Sequence, residues 1–121
     1  MDDDLREFLR HSLRSVWNIE LLLSLHRNPG RSWRPADLVR ELRASDMVVD
    51  QGLAGLQQAG LVIAEADGSY RYVPASPRLD QLVLQLERAY RERPSTVTRA
   101  LFSTADDKLN TFADAFRLKK D

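Results

Sequence analysis

The residues with chemistry to offer in this chain are arginines, acids and amides. Eighteen Lys and Arg balance eighteen Asp and Glu, with two His and no Cys. Without cysteine there is no disulfide framework, thiolate metal site or thiol nucleophile. His11 and His26 are fifteen residues apart, about 22 Å along a straight helix, so they cannot share a metal ion. No HExxH pair, glycine-rich phosphate loop or nucleophile elbow occurs. Asp2, Asp3 and Asp4, and again Asp106 and Asp107, are adjacent acids at expected helix starts, where carboxylates complement the helix dipole. No catalytic residue, metal site or cofactor is assigned, and an enzyme is not expected.

What remains is anion chemistry. Arg6, Arg10 and Arg14 recur at four-residue spacing. On a helix they form one stripe, either a phosphate- or partner-binding ridge or a solvated face beside an apolar one, and the solvated face is the simpler reading. Arg31, Arg34, Arg40 and Arg43 alternate with Asp37 and Glu41, so a phosphate-binding edge and a surface salt-bridge face weigh equally. A dedicated nucleic-acid binder shows a basic excess or a basic face. With charges balanced, any basic face here must be local.

These residues need elements to hold them. From Asp3 to His26 there is no Gly or Pro, which predicts one long helix or two abutting ones. Leu5, Phe8, Leu9, Leu13, Val16 and Trp17 give it one apolar face. Further on, Ile19, Leu21, Leu22, Leu23 and Leu25 point all round, so C-terminal helices or a second subunit must cover this part. Trp17 and Trp33 are expected as core anchors. Asn28-Pro29-Gly30 stops the helix, and Ser32-Trp33-Arg34 suits a short strand. Pro35 opens a helix with Asp37 in its first turn, and Arg34 is a poor cap for it.

After the turn Arg43-Ala44-Ser45, Ser45 caps a helix from about Asp46 to Ala59. It buries Val49, Leu53 and Leu56 and exposes Asp46, Met47, Asp50, Gln51, Ala54, Gln57 and Gln58. Beside the buried face run Val48, Gly52, Gly55 and Ala59. Each helical glycine costs roughly 1 kcal/mol against Ala, and close packing inside the domain or a helix-on-helix seam with a partner could offset it. Gly60 ends the helix. Leu61-Val62-Ile63 and Tyr70-Arg71-Tyr72 then make a hairpin through Asp67-Gly68. A two-residue type I′ loop sets Ile63 against Tyr72 and Glu65 against Tyr70. Ser76-Pro77 starts an amphipathic helix ending near Arg93, Pro94 starts a short one with Val97, Leu101 and Phe102, and Ser103 caps a last helix. That helix carries Leu109, Phe112, Ala113 and Phe116, with Arg117, Lys119 and Lys120 at its end.

Residues from about Ser15 to Val73 resemble a bacterial winged helix-turn-helix domain of the broad class of MarR-like and ArsR-like regulators. The resemblance is carried by Pro35-Ala36-Asp37-Leu38-Val39-Arg40-Glu41-Leu42, the turn Arg43-Ala44-Ser45, Leu53-Ala54-Gly55-Leu56-Gln57-Gln58-Ala59-Gly60-Leu61-Val62, and the Asp67-Gly68 turn. It implies a mainly α (α+β) fold, a winged helix-turn-helix with a long N-terminal helix and a C-terminal helical extension. One domain spans 1–121, with its core over 15–73 and the extension over 76–121. The resemblance further implies a small cytoplasmic transcriptional regulator that binds double-stranded DNA as a homodimer, with no membrane partner. Its DNA-binding residues would be Arg34, Arg40, Arg43, Gln51 and Arg71, with Arg40, Arg43 and Arg71 on phosphates and Gln51 on a base.

The chain departs from that pattern in its charge. The helix from Asp46 to Ala59 has no Arg or Lys, and Asp46 and Asp50 lie on its exposed side. From Arg31 to Val73 there are five arginines and six acids, a net charge of −1. Counterion release, the general source of DNA affinity, is correspondingly weak. The alternative is a winged-helix adaptor module that contacts protein and not DNA.

Overall fold

The computed structural model describes residues 2–102. They are mainly helical, with one two-stranded antiparallel sheet. The helix expected after Ser103, with its Leu109–Phe116 stripe and basic end, lies outside the described residues.

The N-terminal segment is broken into two helices, so the expected long N-terminal helix is not found and the abutting arrangement its sequence also allowed takes its place. Helix α1, Asp3–Phe8, is capped by Asp2, whose carboxylate accepts the Asp4 N–H at 3.0 Å. A π-helical turn follows over Leu9–Leu13, closed by the Arg14 N–H on the Leu9 carbonyl at 2.8 Å. Arg14 adopts a left-handed backbone with φ 73°. Ser15 then caps α2, Val16–Arg27, its hydroxyl accepting the Asn18 N–H at 3.1 Å. The Asn18 amide donates to the Leu13 carbonyl at 2.6 Å. Two of the backbone groups exposed by the break thus regain partners.

Ile19, Leu21, Leu22, Leu23 and Leu25 of α2 are all buried. Their cover comes from within the chain, because the helices Pro35–Leu42, Asp46–Gln58 and Pro77–Glu92 and the strand Tyr70–Tyr72 all pack on α2. No second subunit is required for it. Trp17 corrects an expectation, since it is 44% exposed at the start of α2 and is not part of the core. Trp33 is buried as expected.

Helix α3, Pro35–Leu42, begins without a side-chain cap from Arg34. Instead the Asp37 carboxylate accepts the Arg34 backbone N–H at 3.2 Å. Arg43 ends α3 in a left-handed conformation, φ 55°. Ser45 caps α4, Asp46–Gln58, accepting the Val48 N–H at 3.1 Å. Val49, Leu53 and Leu56 are buried, and every residue expected on the solvent side is exposed. The two glycines part company. A Cβ on Gly52 would stand 2.7 Å from Leu21 Cδ2 and 2.8 Å from Asn18 Oδ1, while one on Gly55 would meet nothing within 4 Å.

Strands β1, Val62–Ala64, and β2, Tyr70–Tyr72, pair one residue away from the expected register: Val62 with Tyr72, Ile63 with Arg71, Ala64 with Tyr70. A type I′ loop needs positive φ at both central residues. Among the described residues of this loop only Gly68 has one, φ 87°. Asp67 keeps an ordinary backbone and spends its carboxylate on Ser69, accepting the N–H at 3.0 Å and the hydroxyl at 2.6 Å. The loop therefore closes between Glu65 and Ser69, whose carbonyl accepts the Glu65 N–H at 2.7 Å. The shift turns Val62 and Tyr72 inward and leaves Ile63 outside. The expected strand at Ser32–Arg34 is a single bridge, Trp33 to Tyr70, with both bonds at 2.8 Å.

Helix α5, Pro77–Glu92, is capped by Ser76 as its sequence predicts. Leu82, Val83 and Leu86 enter the core. A further helical stretch covers 94–102, burying Val97 and Leu101 and exposing Phe102. No helix among the described residues is long and apolar enough to cross a membrane.

Candidate nucleic-acid interface

The candidate surface is built on α4. Its buried side packs on α2 and α3, which fixes the direction of the other side. That side presents Asp46, Met47, Asp50, Gln51, Ala54, Gln57 and Gln58 to solvent. Met47 is the most exposed large apolar residue described, at 67%. Gln51 is exposed on this side, and no cation stands with it on α4.

The four arginines assigned from the sequence are placed unequally. Arg34 is exposed at the start of α3. The bridge from Trp33 to Tyr70 ties that start to the hairpin. Ser69 hydrogen bonds hold the Asp67 carboxyl below the usual carboxylate value, and the positive charge of Arg34 adds to this. Arg34 therefore sits near the hairpin tip. Arg43 is exposed at the other end of α3, in the turn leading to α4. Arg40 is drawn back to Asp37, with Nη2 2.6 Å from Oδ1. Arg71 faces Glu65, with Nε 3.7 Å from Oε1. A surface pair of this kind is worth about 0–1 kcal/mol, so an incoming phosphate could recruit either arginine, at the expense of the existing pair.

The sequence did not single out the polar contacts that hold this surface to the rest of the chain. His26 Nδ1 lies 2.6 Å from Glu87 Oε2, and Arg27 Nε donates to Glu87 Oε1 at 3.0 Å. Burial pushes the Glu87 carboxyl up, but the hydrogen bonds from Arg27 and His26 outweigh it, and the carboxyl sits below its usual value. The Tyr72 hydroxyl donates to Asp80 Oδ1 at 2.7 Å, and the Tyr72 ring meets the His26 ring edge-on at 5.1 Å. Burial, with Asp80 beside it, pushes the Tyr72 hydroxyl well above its usual value. Tyr90 donates to Glu20 Oε1 at 2.6 Å, and burial, with the Glu20 hydrogen bond, raises its hydroxyl to about 12. The bonds of Glu87 and Tyr90 join α2 to α5 across sixty or more residues (61 for His26 and Glu87), where no periodicity can pair them, and the Tyr72–Asp80 bond ties β2 to α5 across eight. Arg31 over the Trp33 ring, 3.5 Å from its centroid, was legible in principle. Residues two apart in an extended segment share a side.

Among the described residues no group of three His, Cys, Asp or Glu could hold a metal ion. No family model matches the chain, and no curated protein and no solved structure matches it.

Proposed function

We propose that the chain is a winged helix-turn-helix protein and that it binds double-stranded DNA as a small transcriptional regulator. The observation that carries this reading is α4. It is held by its apolar side, follows α3 through the three-residue turn 43–45, and exposes a continuous row from Asp46 to Gln58 next to a short hairpin. That order of parts is how such folds present one helix to the major groove with the hairpin on the adjoining backbone. Arg34 near the hairpin and Arg43 in the turn are the exposed cations suited to phosphate, and Gln51 is the residue suited to a base. Two copies would present two such helices.

The test is binding of a short mixed-sequence duplex, followed by fluorescence anisotropy from low to physiological salt. The native chain binds with an affinity that falls steeply with salt. An Arg34→Ala/Arg43→Gly double variant loses about tenfold or more and flattens the salt slope by up to roughly two. Glycine suits the left-handed backbone at Arg43, so this variant keeps its fold.

A second reading has an observation of its own. Met47 stands two-thirds exposed between Asp46 and Asp50, a pattern that suits a protein partner with an apolar pocket and a basic rim. Absence of duplex binding at low salt would leave this adaptor reading in place of the first.

A further inference from the structure

A cleft of about 370 Å³ lies between the π-helical turn and α4. His11, Ser12 and Arg14 line one side, and Gln51, Gly55 and Gln58 the other. No Asp or Glu lines it, whereas the two other described clefts carry Asp2 and Glu92, or Asp4 and Glu7. A guanidinium, an imidazole, a hydroxyl and two amides are the donors that phosphate oxygens take. Gln51, Gly55 and Gln58 stand at i, i+4 and i+7 and make one ridge of α4. Asp46 and Asp50 make a different ridge, about 140° and 100° round the helix from Gln51, so the acids of α4 do not face the cleft.

Two backbone features stand at this cleft. Gly55 interrupts α4 although a methyl group there would meet nothing within 4 Å. Its absence leaves the helix backbone bare beside the cleft, open to close approach by a ligand. Arg14 holds φ 73°, an uncommon conformation for a non-glycine residue, directly after a π-helical turn, and both features concentrate at functional sites. Its Nε donates to the His11 carbonyl at 3.3 Å, and among the described residues it pairs with no carboxylate.

We propose that this cleft seats a backbone phosphate of duplex DNA, with Arg14 supplying the charge that α4 lacks and His11, Ser12 and Gln58 supplying further donors, while Gln51 at its rim stays directed to a base. The proposal rests on the DNA-binding reading above and moves part of the interface to the N-terminal segment.

The test uses the full chain, the same duplex and three variants. Arg14→Gly removes the charge and suits the positive φ. Gly55→Glu places a carboxylate and its bulk at the cleft, in space that is open in the fold. Gly55→Ala controls for helix stabilisation. Arg14→Gly weakens binding about fivefold or more and lowers the salt slope by roughly one. Gly55→Glu weakens binding by more than about tenfold, Gly55→Ala leaves it within about twofold, and no variant melts earlier than the native chain.

If the native chain fails to bind DNA at low salt, the regulator reading and the cleft both fall. If the native chain binds and responds to the Arg34/Arg43 variant, but Arg14→Gly leaves affinity and slope unchanged, the cleft alone is overturned, whatever Gly55→Glu does. Inorganic phosphate at constant ionic strength separates a free anion from the duplex. If it shifts the amide resonances of residues 12–14 and 55 without displacing DNA, the cleft belongs to a free anion and the proposal is overturned.

Discussion

At Gly52 a methyl group would meet Leu21 Cδ2 at 2.7 Å and Asn18 Oδ1 at 2.8 Å. Neither neighbour can easily give way. Leu21 is buried at 2% exposure, and the Asn18 amide holds the Leu13 carbonyl. Gly52→Ala is therefore overpacked and should cost about 1–3 kcal/mol despite the better helix propensity of Ala. Gly55 lies on the same helix with open space beside it. Gly55→Ala should stabilise by up to about 1 kcal/mol. Urea unfolding of the two variants checks this pair, and equal effects of one sign would contradict it. The sequence placed both glycines in one small-residue row and could not separate them. Separation depends on which α2 side chain lies across the gap, and that is a matter of helix crossing, not of spacing along the chain. Trp17 taught the same lesson. Its period matched the apolar face of a continuous helix, but the break at Arg14 turns the start of α2 so that the ring is 44% exposed.

Local signals placed the elements well because local physics sets their ends. Ser45 and Ser76 cap the helices they were expected to cap, and Gly60 takes the positive φ that ends α4. The hairpin register was not legible because the Asp67 side chain chose a different loop from the one Asp-Gly alone suggests. The joining of α5 to α2 was not legible either, and it carries a pH dependence. The Glu87 carboxyl titrates below its ordinary value of 4.5. The bond to Arg27 and the contact with His26 are therefore fully present above that value and are lost as pH falls through the lower folded-state value. Glu87→Gln should cost about 1–2 kcal/mol near neutral pH, in the range of a charge-assisted hydrogen bond. The gap between native chain and variant should close as pH falls well below 4.5. A gap of the same size at low and neutral pH would show that Glu87 contributes by packing and not by charge.

At the scale of the whole molecule the question is how a chain with balanced charge meets a polyanion. The acids of α4, Asp46 and Asp50, lie together on one ridge of its exposed side, while the exposed cations lie around it at Arg34, Arg43 and Arg14. On the DNA-binding reading these carboxylates oppose phosphates across a few ångströms, each repulsion being worth about 1 kcal/mol in a water-like dielectric. Neutralising both without changing their shape should relieve this. The double variant Asp46→Asn/Asp50→Asn should bind a mixed-sequence duplex about tenfold tighter at low salt, with the advantage shrinking as salt screens the charges. Both residues are exposed, and only Asp46, in the first turn of α4, complements the helix dipole, so stability should fall by no more than about 1 kcal/mol. On the adaptor reading the same acids serve a partner's basic rim, and removing them gains nothing toward DNA. Anisotropy titrations of native chain and variant, side by side at two salt concentrations, separate the cases. A salt-sensitive gain places phosphates beside α4, and unchanged or absent binding shows that phosphates do not face these acids.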